Sequence, residues 1–397
     1  MYHLKASTKT GKNYLEVPTY QKINGLRLFH SLGYKNVAYL YDYPDNSTFR
    51  YRAYNMCEAL SYSVKWHGEF FFESELEILQ RNLEYVDILI IIRYAMTERL
   101  KSLIVQADMK KIILVYDVDD LVFSPSYKTV IFDTLLDGSP SDKQREYWNG
   151  ETNRQFETAN SCDQFCCTNG YLQNHIEALF QRPCQNYKNF YNEEQGEVSE
   201  FYYSQKMQEN SDLKFLIGYF SGTSSHNKDF RVVSEALLQF MSERENVFLK
   251  VVGYLELPQQ FEHLKQKKRI LYAPFMDYVK LQKEIAECDI NLIPLQNNDF
   301  TNSKSELKYF EAAITGVVSI ATPTYVYQNC ITDGMNGYLA ENNWYDKLNQ
   351  YYCMDVQKRS EMQKMACKSA ENVYAWNRQT PMLEDMLDGY IRNGKKS

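Results

Sequence analysis

Ser303-Lys304-Ser305-Glu306-Leu307-Lys308-Tyr309-Phe310-Glu311-Ala312-Ala313, and two residues later Gly316-Val317-Val318-Ser319-Ile320-Ala321-Thr322, form the most informative stretch of the chain. Ser303 and Glu306 have the spacing of a capping box, which predicts a helix start near Lys304. On such a helix Lys304, Lys308 and Glu311 fall at i, i+4 and i+7 on one face. That set suits a nucleoside diphosphate. Two ammonium groups neutralise phosphates beside the positive helix end, and a carboxylate one turn deeper accepts hydrogen bonds from ribose hydroxyls. The plain alternative is a solvated Lys–Glu face. Tyr309, Phe310, Ala312 and Ala313 leave little room for a wholly exposed helix. Gly316 then leads into an apolar run.

Working outward, short apolar runs alternate with longer helix-like segments. In the first half the runs cover 36–41, 86–92, 111–116 and 164–168; in the second half 213–219, 247–252, 269–273, 290–295 and 317–321. Most are near-continuous rather than alternating, the pattern of strands covered on both faces of a parallel sheet. Regular strand–helix alternation implies an α/β fold of right-handed βαβ units. The polar, acidic stretch 191–212 separates the halves. Two tandem Rossmann-like, doubly wound domains follow, facing a cleft at the carboxyl ends of their strands. The expected boundaries are 1–200, 201–375 and a final helical segment at 376–397.

The run at 213–219 leads into Ser221-Gly222-Thr223-Ser224-Ser225-His226-Asn227-Lys228 and then an amphipathic segment. A strand, a small polar loop and a helix start make an anion site from backbone amides and hydroxyls. Ser221, Gly222 and Thr223 are candidate phosphate contacts and Lys228 a candidate cation for a departing phosphate. The alternative is an ordinary loop with Asp229 as helix cap. His226, as a lone histidine, reads as a loop hydrogen bonder.

Together the Pro294-Leu295 strand end, the Lys-Ser-Glu-Leu-Lys-x-x-Glu-Ala-Ala motif, Gly316-Val317 and Asp333-Gly334-x-Asn336-Gly337-Tyr338-Leu339 resemble glycosyltransferase family 4 and its relatives. The resemblance implies a GT-B fold, with a last helix crossing back onto the first domain. It implies transfer of a sugar from a nucleotide diphosphate sugar to a glycan, lipid-linked or protein-linked acceptor, with retention. Helix ends, backbone amides and Lys228 or Lys308 can stabilise the departing diphosphate, so no metal or other cofactor is expected. It places Glu311 at the ribose, the Gly222–Thr223 loop at the diphosphate and Lys228 at the leaving phosphate. The family often carries two glutamates with seven residues between them, the first near the donor sugar; here that earlier position is Ser303. An arginine usual after the first strand of this domain is replaced around Ser221–Thr223, so Asn302, Lys304 or Lys308 are expected to take over contacts. A non-catalytic GT-B-like subunit that binds a glycan or a partner transferase is the rival reading.

In the first half, the run at 111–116 is followed by Asp117-Val118-Asp119-Asp120. Asp-x-Asp after a strand resembles a divalent-metal motif. Its distance from the donor motif favours instead a cleft-facing acidic loop that meets the acceptor or positions a catalytic group, or a structural loop. Asp117 and Asp119 are therefore candidate catalytic groups and Asp120 an acceptor-side group. Arg50 and Arg52 follow the first strand. They are candidates for an anionic acceptor or donor phosphate, or for local ion pairs.

The chain has 397 residues, 44% hydrophobic and 24% charged, with a formal net charge of −7. These are globular values, and the acidic balance argues against a nucleic-acid partner. No apolar run is long enough to span a membrane, and no secretory signal is evident. The expected location is cytoplasmic. Peripheral attachment at the inner face of the membrane, through lysines such as Lys5, Lys9, Lys12 and Lys22, stays open, as does a homo-oligomer. The nine cysteines, crowded only at Cys162, Cys166, Cys167 and Cys184, read as reduced and buried, without a zinc pattern.

Overall fold

The computed structural model describes residues 17–44, 47–136, 139–206, 214–222 and 227–396. Twelve strands form two parallel sheets of six. The first contains β1 (Lys35–Leu40), β2 (Trp66–Phe71), β3 (Ile88–Ile92), β4 (Ile113–Val118), β5 (Gln164–Cys167) and β6 (Cys184–Asn186), in the order β2-β1-β3-β4-β5-β6. The second contains β7 (Phe215–Ser221), β8 (Val247–Gly253), β9 (Ile270–Ala273), β10 (Ile290–Ile293), β11 (Val318–Ala321) and β12 (Tyr338–Leu339), in the order β12-β11-β10-β7-β8-β9.

The inner strands are apolar on both faces. All five residues of β3, Ile-Leu-Ile-Ile-Ile, are buried, and so are all four of β10 and of β11. Both faces must therefore be covered by helices, and separate apolar clusters lie on either side of the first sheet. The second sheet repeats the dinucleotide-fold order: its first and fourth strands, β7 and β10, are neighbours, and the winding reverses there. In the first sheet the reversal lies between β1 and β3. Ligands bind outside the carboxyl ends of strands at such points, and the two points face one cleft.

The segment between the sheets contains helix Glu193–Lys206, which packs on helix Tyr278–Ala286 through Ser199 Oγ donating to Gln282 Oε1 at 2.8 Å. The last helix, Gln379–Asn393, lies on the first domain. Its Leu383, Leu387 and Tyr390 are fully buried, each apolar side chain contributing roughly 2 kcal/mol. Gln164 donates to the Tyr390 carbonyl at 2.8 Å, and Trp66 Nε1 to Asp388 at 3.0 Å. This is the crossing helix that the resemblance implied.

Several local expectations change. Lys22 is 1% exposed and donates to both Glu75 carboxylate oxygens, at 2.9 and 2.8 Å, so it presents no charge to a membrane surface. Lys5, Lys9 and Lys12 lie outside the described residues. The cysteines are free, and Cys162, Cys166, Cys167 and Cys184 are buried. Among the described residues no helix is long and apolar enough to cross a membrane, and no group of three His, Cys, Asp or Glu side chains is arranged to hold a metal.

Candidate active site

The cleft between the sheets has a cavity volume of about 590 Å³. One wall comes from the second domain: Gly222 after β7, Leu295 after β10, and Lys304, Ser305 and Lys308 from the segment that follows. The opposite wall comes from the first domain. It carries Asp42 and Tyr43 after β1, Arg93 after β3, Asp119 and Asp120 after β4, and residues of helix Asp142–Ser161.

On the second-domain wall, the helix starts later than the capping-box spacing predicts. Ser303 Oγ donates back to the Asp299 carbonyl at 2.8 Å, closing the short helix Asp299–Asn302. The next helix is Leu307–Ala313, with Glu306 at its N-cap position. Glu306 has turned away from Ser303. It is buried, pairs with Lys188 Nζ at 2.6 Å and accepts from Tyr374 Oη at 2.9 Å. Lys304 is therefore in the loop before the helix. The expected single face of Lys304, Lys308 and Glu311 is broken.

Lys304 and Lys308 still line the cleft. Lys304 Nζ lies 3.4 Å from Asp120 across the cleft. Lys308 Nζ sits 5.5 Å from the centre of the Tyr219 ring and makes no ion pair among the described residues. Burial, with nearby Lys304, lowers its pKa to about 8, while Asp229 and Glu311 act in the opposite sense. An ammonium half-removed from water and lacking a carboxylate partner is suited to receive an anion.

Glu311 faces elsewhere. It is 7% exposed and sits in a closed network between the domains. Arg50 Nη2 is 3.3 Å from its Oε1, Gln195 Nε2 is 3.4 Å away, and the Tyr51 hydroxyl donates to the same oxygen. Arg50 stacks between the rings of Tyr51 and Tyr278, at 3.9 and 4.2 Å from their centres. A ribose at Glu311 must displace one of these partners.

Gly222 opens directly on the cleft, and a Cβ there meets nothing within 4 Å. Ser221 is buried at the end of β7. Its carbonyl passes so close to Gly253 that a Cβ on Gly253 stands 1.9 Å from it. Gly253 also has φ +91°, so its lack of a side chain sets the β7 exit. Thr223 and His226 lie outside the described residues. Lys228, expected at the leaving phosphate, instead donates to the Asp133 carbonyl at 2.8 Å, on helix Lys128–Leu135 of the first domain. It is not a cleft residue. Asn302 is likewise occupied: its amide donates to the Asn298 carbonyl at 2.8 Å and its oxygen accepts from the Tyr325 N–H at 2.7 Å. Ser303, at the position of the earlier of the family's two glutamates, is fully buried.

On the first-domain wall, a π-helical turn, Arg50–Tyr54, takes both arginines inward. Arg52 is 0% exposed and Asp117 2%. They form a two-point pair, Nε to Oδ1 at 2.9 Å and Nη2 to Oδ2 at 2.7 Å. Asp117 belongs to β4 itself rather than to the loop after it. Burial pushes its carboxyl up, and Arg52 opposes the shift. The catalytic role expected of Asp117 and the ligand contacts expected of Arg50 and Arg52 do not fit this burial. All three hold the fold at the back of the cleft.

Asp119 and Asp120 do reach the cleft. Thr48 Oγ1 donates to Asp119 at 2.8 Å, and Arg93 Nη1 lies 3.2 Å from both carboxylates. Arg93 is the main residue that sequence reading missed. Its φ of +41° is rare for a non-glycine residue and marks a held conformation. Its N–H donates to the Asp117 carbonyl at 2.8 Å, which fixes the turn after β3. No spacing rule signals it. Helix Asp142–Ser161 was also missed as a site element; its Tyr147, Glu151 and Gln155 recur every four residues and line the cleft together.

Two doubly wound parallel sheets, a shared cleft and a crossing terminal helix define the GT-B fold of glycosyltransferases. Residues 214–352 match the family model described as Glycosyl transferases group 1. Among solved structures, Anabaena HepE, determined in complex with UDP and glucose, is similar at TM-score 0.61 and 14% identity, over 90% of this chain and 100% of that one. Sucrose-phosphate synthase from Thermosynechococcus elongatus is similar at TM-score 0.60 and 12% identity, over 90% and 99%. A glycosyltransferase from Rickettsia africae ESF-5 is similar at TM-score 0.58 and 12% identity, over 91% and 98%. No curated protein matches the chain.

Proposed function

We propose that the chain is a glycosyltransferase that moves a sugar from a nucleotide diphosphate donor to a hydroxyl of a glycan, lipid-linked or protein-linked acceptor, with retention at the anomeric carbon. The observation that carries this reading is Lys308, a partly desolvated ammonium that makes no ion pair among the described residues and stands at the strand-order reversal of the domain that matches the group 1 model. The donor diphosphate lies along Gly222, Lys304 and Lys308. As the anomeric C–O bond breaks, negative charge grows on the departing diphosphate, and these cations stabilise it; one well-placed group contributes ~3 kcal/mol in the transition state. Anabaena HepE, with UDP and glucose bound in the same fold, supports the choice of donor class.

No metal is required on this reading. Lys304 and Lys308 supply positive charge to the diphosphate, while Arg93 already lies against Asp119 and Asp120. The rival, a non-catalytic glycan-binding subunit, draws on the burial of Ser303, which leaves no carboxylate at that position for the donor sugar. Slow hydrolysis across a panel of UDP, dTDP and GDP sugars separates the two. A transferase hydrolyses one donor in the presence of EDTA and loses that activity in Lys308→Ala. Absence of donor binding across the panel sinks the proposal.

A further inference from the structure

Lys304 and Lys308 both line the donor wall, yet they differ in their partners. Lys308 makes no ion pair among the described residues. Lys304 Nζ makes one, with Asp120 Oδ1 at 3.4 Å across the cleft, and stands 4.7 Å from the centre of the Phe300 ring. The two ammonium groups are close enough that Lys304 helps to lower the pKa of Lys308. Asp120 has a cation besides Lys304: its other oxygen, Oδ2, meets Arg93 Nη1 at 3.2 Å. Asp119 is held by Arg93 and Thr48. Arg93, Lys304, Asp119 and Asp120 thus form a group of two cations and two carboxylates, and Lys304 is its one member from the second domain. The backbone of Lys304 is fixed separately. Asn169 Nδ2 donates to the Ser303 and Lys304 carbonyls at 2.9 and 3.1 Å, while its Oδ1 accepts from the Leu172 N–H at 2.9 Å. The ammonium ends a flexible four-carbon stem, so it can change partner while its backbone stays in place.

On the footing that the cleft takes a donor diphosphate, we infer that Asp120 is a displaceable counter-ion: the diphosphate draws Lys304 away from it, and the Lys304–Asp120 pair sets how tightly the nucleotide is held. A diphosphate brings more charge and more acceptor oxygens than one carboxylate, and it meets Lys308 at the same time. Asp120 keeps Arg93 after the exchange, so no carboxylate is left without a cation. The exchange limits what Lys304 contributes. Its share of donor affinity is only the difference between two ion pairs. Once Lys304 has left, Arg93 alone faces two carboxylates, and that excess negative charge opposes a bound anion. Asp120 therefore loosens the hold on a nucleoside diphosphate, which a transferase must release in every turnover. A metal-binding role for the Asp-x-Asp-Asp segment makes the opposite prediction, because a cation bridging Asp120 to the diphosphate tightens binding.

Calorimetric titration of the full chain at pH 7 tests this, with whichever of UDP, dTDP and GDP the wild type binds best, in EDTA and again in magnesium. The proteins are the wild type, Asp120→Asn, Lys304→Met and the double variant. Asp120→Asn is expected to bind the nucleotide at least threefold tighter than the wild type in both buffers, a gain that a misfolded protein cannot give. In the Lys304→Met background the same change should alter affinity by less than twofold, because no ammonium is left to release. A gain below threefold in Asp120→Asn overturns the inference. So does a gain of twofold or more in the Lys304→Met background, which assigns the effect to Arg93 or to the net charge of the wall. Weaker binding by Asp120→Asn in magnesium overturns it in favour of a metal bridge. Each of these results, with the wild type still binding a nucleotide, leaves the transferase reading standing. A wild type that binds none of the three nucleotides defeats that reading and this inference together.

Discussion

Replacing Glu311 by glutamine separates two roles that one residue was given. The resemblance assigns its carboxylate to the ribose, whereas the structure surrounds it with Arg50, Tyr51 and Gln195. Arg50 and Glu311 are 2% and 7% exposed and 3.3 Å apart. At that separation, with an effective dielectric of ~20, their attraction is about 5 kcal/mol. Glutamine keeps an acceptor for the Tyr51 hydroxyl but leaves the guanidinium of Arg50 without its buried counter-charge. Breaking a buried pair from one side costs roughly 3–5 kcal/mol, so Glu311→Gln should lower the urea midpoint by a large margin. Arg50→Met should do the same. The double variant removes both charges and should recover roughly 2 kcal/mol relative to the sum of the single changes. UDP affinity, measured by calorimetry below the unfolding transition, should fall much less than stability. The reasoning fails if Glu311→Gln stays within about 0.5 kcal/mol of the wild type, the range of an inconsequential surface change, while UDP binding drops more than a hundredfold. That outcome means that the carboxylate serves the nucleotide and the Arg50 contact contributes little.

Two further outcomes follow from the donor wall. Burial lowers the Lys308 pKa to about 8, and a bound phosphate favours its charged form. UDP binding should therefore take up a proton above pH 8, with affinity falling by up to tenfold per pH unit as the pH rises. Calorimetry in two buffers of different ionisation enthalpy reads the proton; Lys308→Met should abolish the uptake and cost roughly 2 kcal/mol of affinity, about thirtyfold, at pH 7. Gly253→Ala should destabilise the fold by roughly 1–3 kcal/mol and disturb the β7 exit, because its Cβ is directed at the Ser221 carbonyl from a backbone at φ +91°. Thermal unfolding and UDP titration together check it. An alanine variant as stable as the wild type would show that the β7 exit is not set there.

The inner strands were legible because burial on both faces writes itself as near-continuous apolar runs, unbroken in β3 and interrupted only by Asn291 in β10. The three strands that escaped notice, β2, β6 and β12, lie at sheet edges. β2 reads Trp-His-Gly-Glu-Phe-Phe and buries alternate positions at its start, while β6 and β12 have three and two residues. Edge strands as short as β6 and β12, or as broken as β2, carry no continuous apolar run and leave no strong signal, whereas the edge strand β9 keeps one. The same logic governs the site. That Lys304 and Lys308 would face the cleft was legible, because they follow the strand that ends in Pro294-Leu295 and so lie at the carboxyl end of a parallel sheet. The roles of Asp117, Arg50 and Arg52 were not, because a charged residue after a strand reads identically whether it faces a ligand or a buried counter-charge 65 residues away, as Arg52 and Asp117 do.

The corrected residues are not scattered. Arg52 and Asp117, Arg50 and Glu311, Lys188 and Glu306 are three ion pairs in which at least one partner is almost wholly buried, and the last two join the first domain or the linker to the helix that carries Lys308. Asn189, a further linker residue, donates to Ser305 beside them and accepts from Arg52. Charges paired in this way lie behind the cleft lining, and they fix where Lys308 stands relative to Asp119 and Asp120. A transferase that stabilises a departing diphosphate through cations depends on such fixed placement, because a preorganised charge needs no rearrangement as the bond breaks. The buried polar layer behind the cleft thus accounts for the failure of several one-residue assignments. It also accounts for charged residues at positions that, by burial alone, would suit apolar side chains.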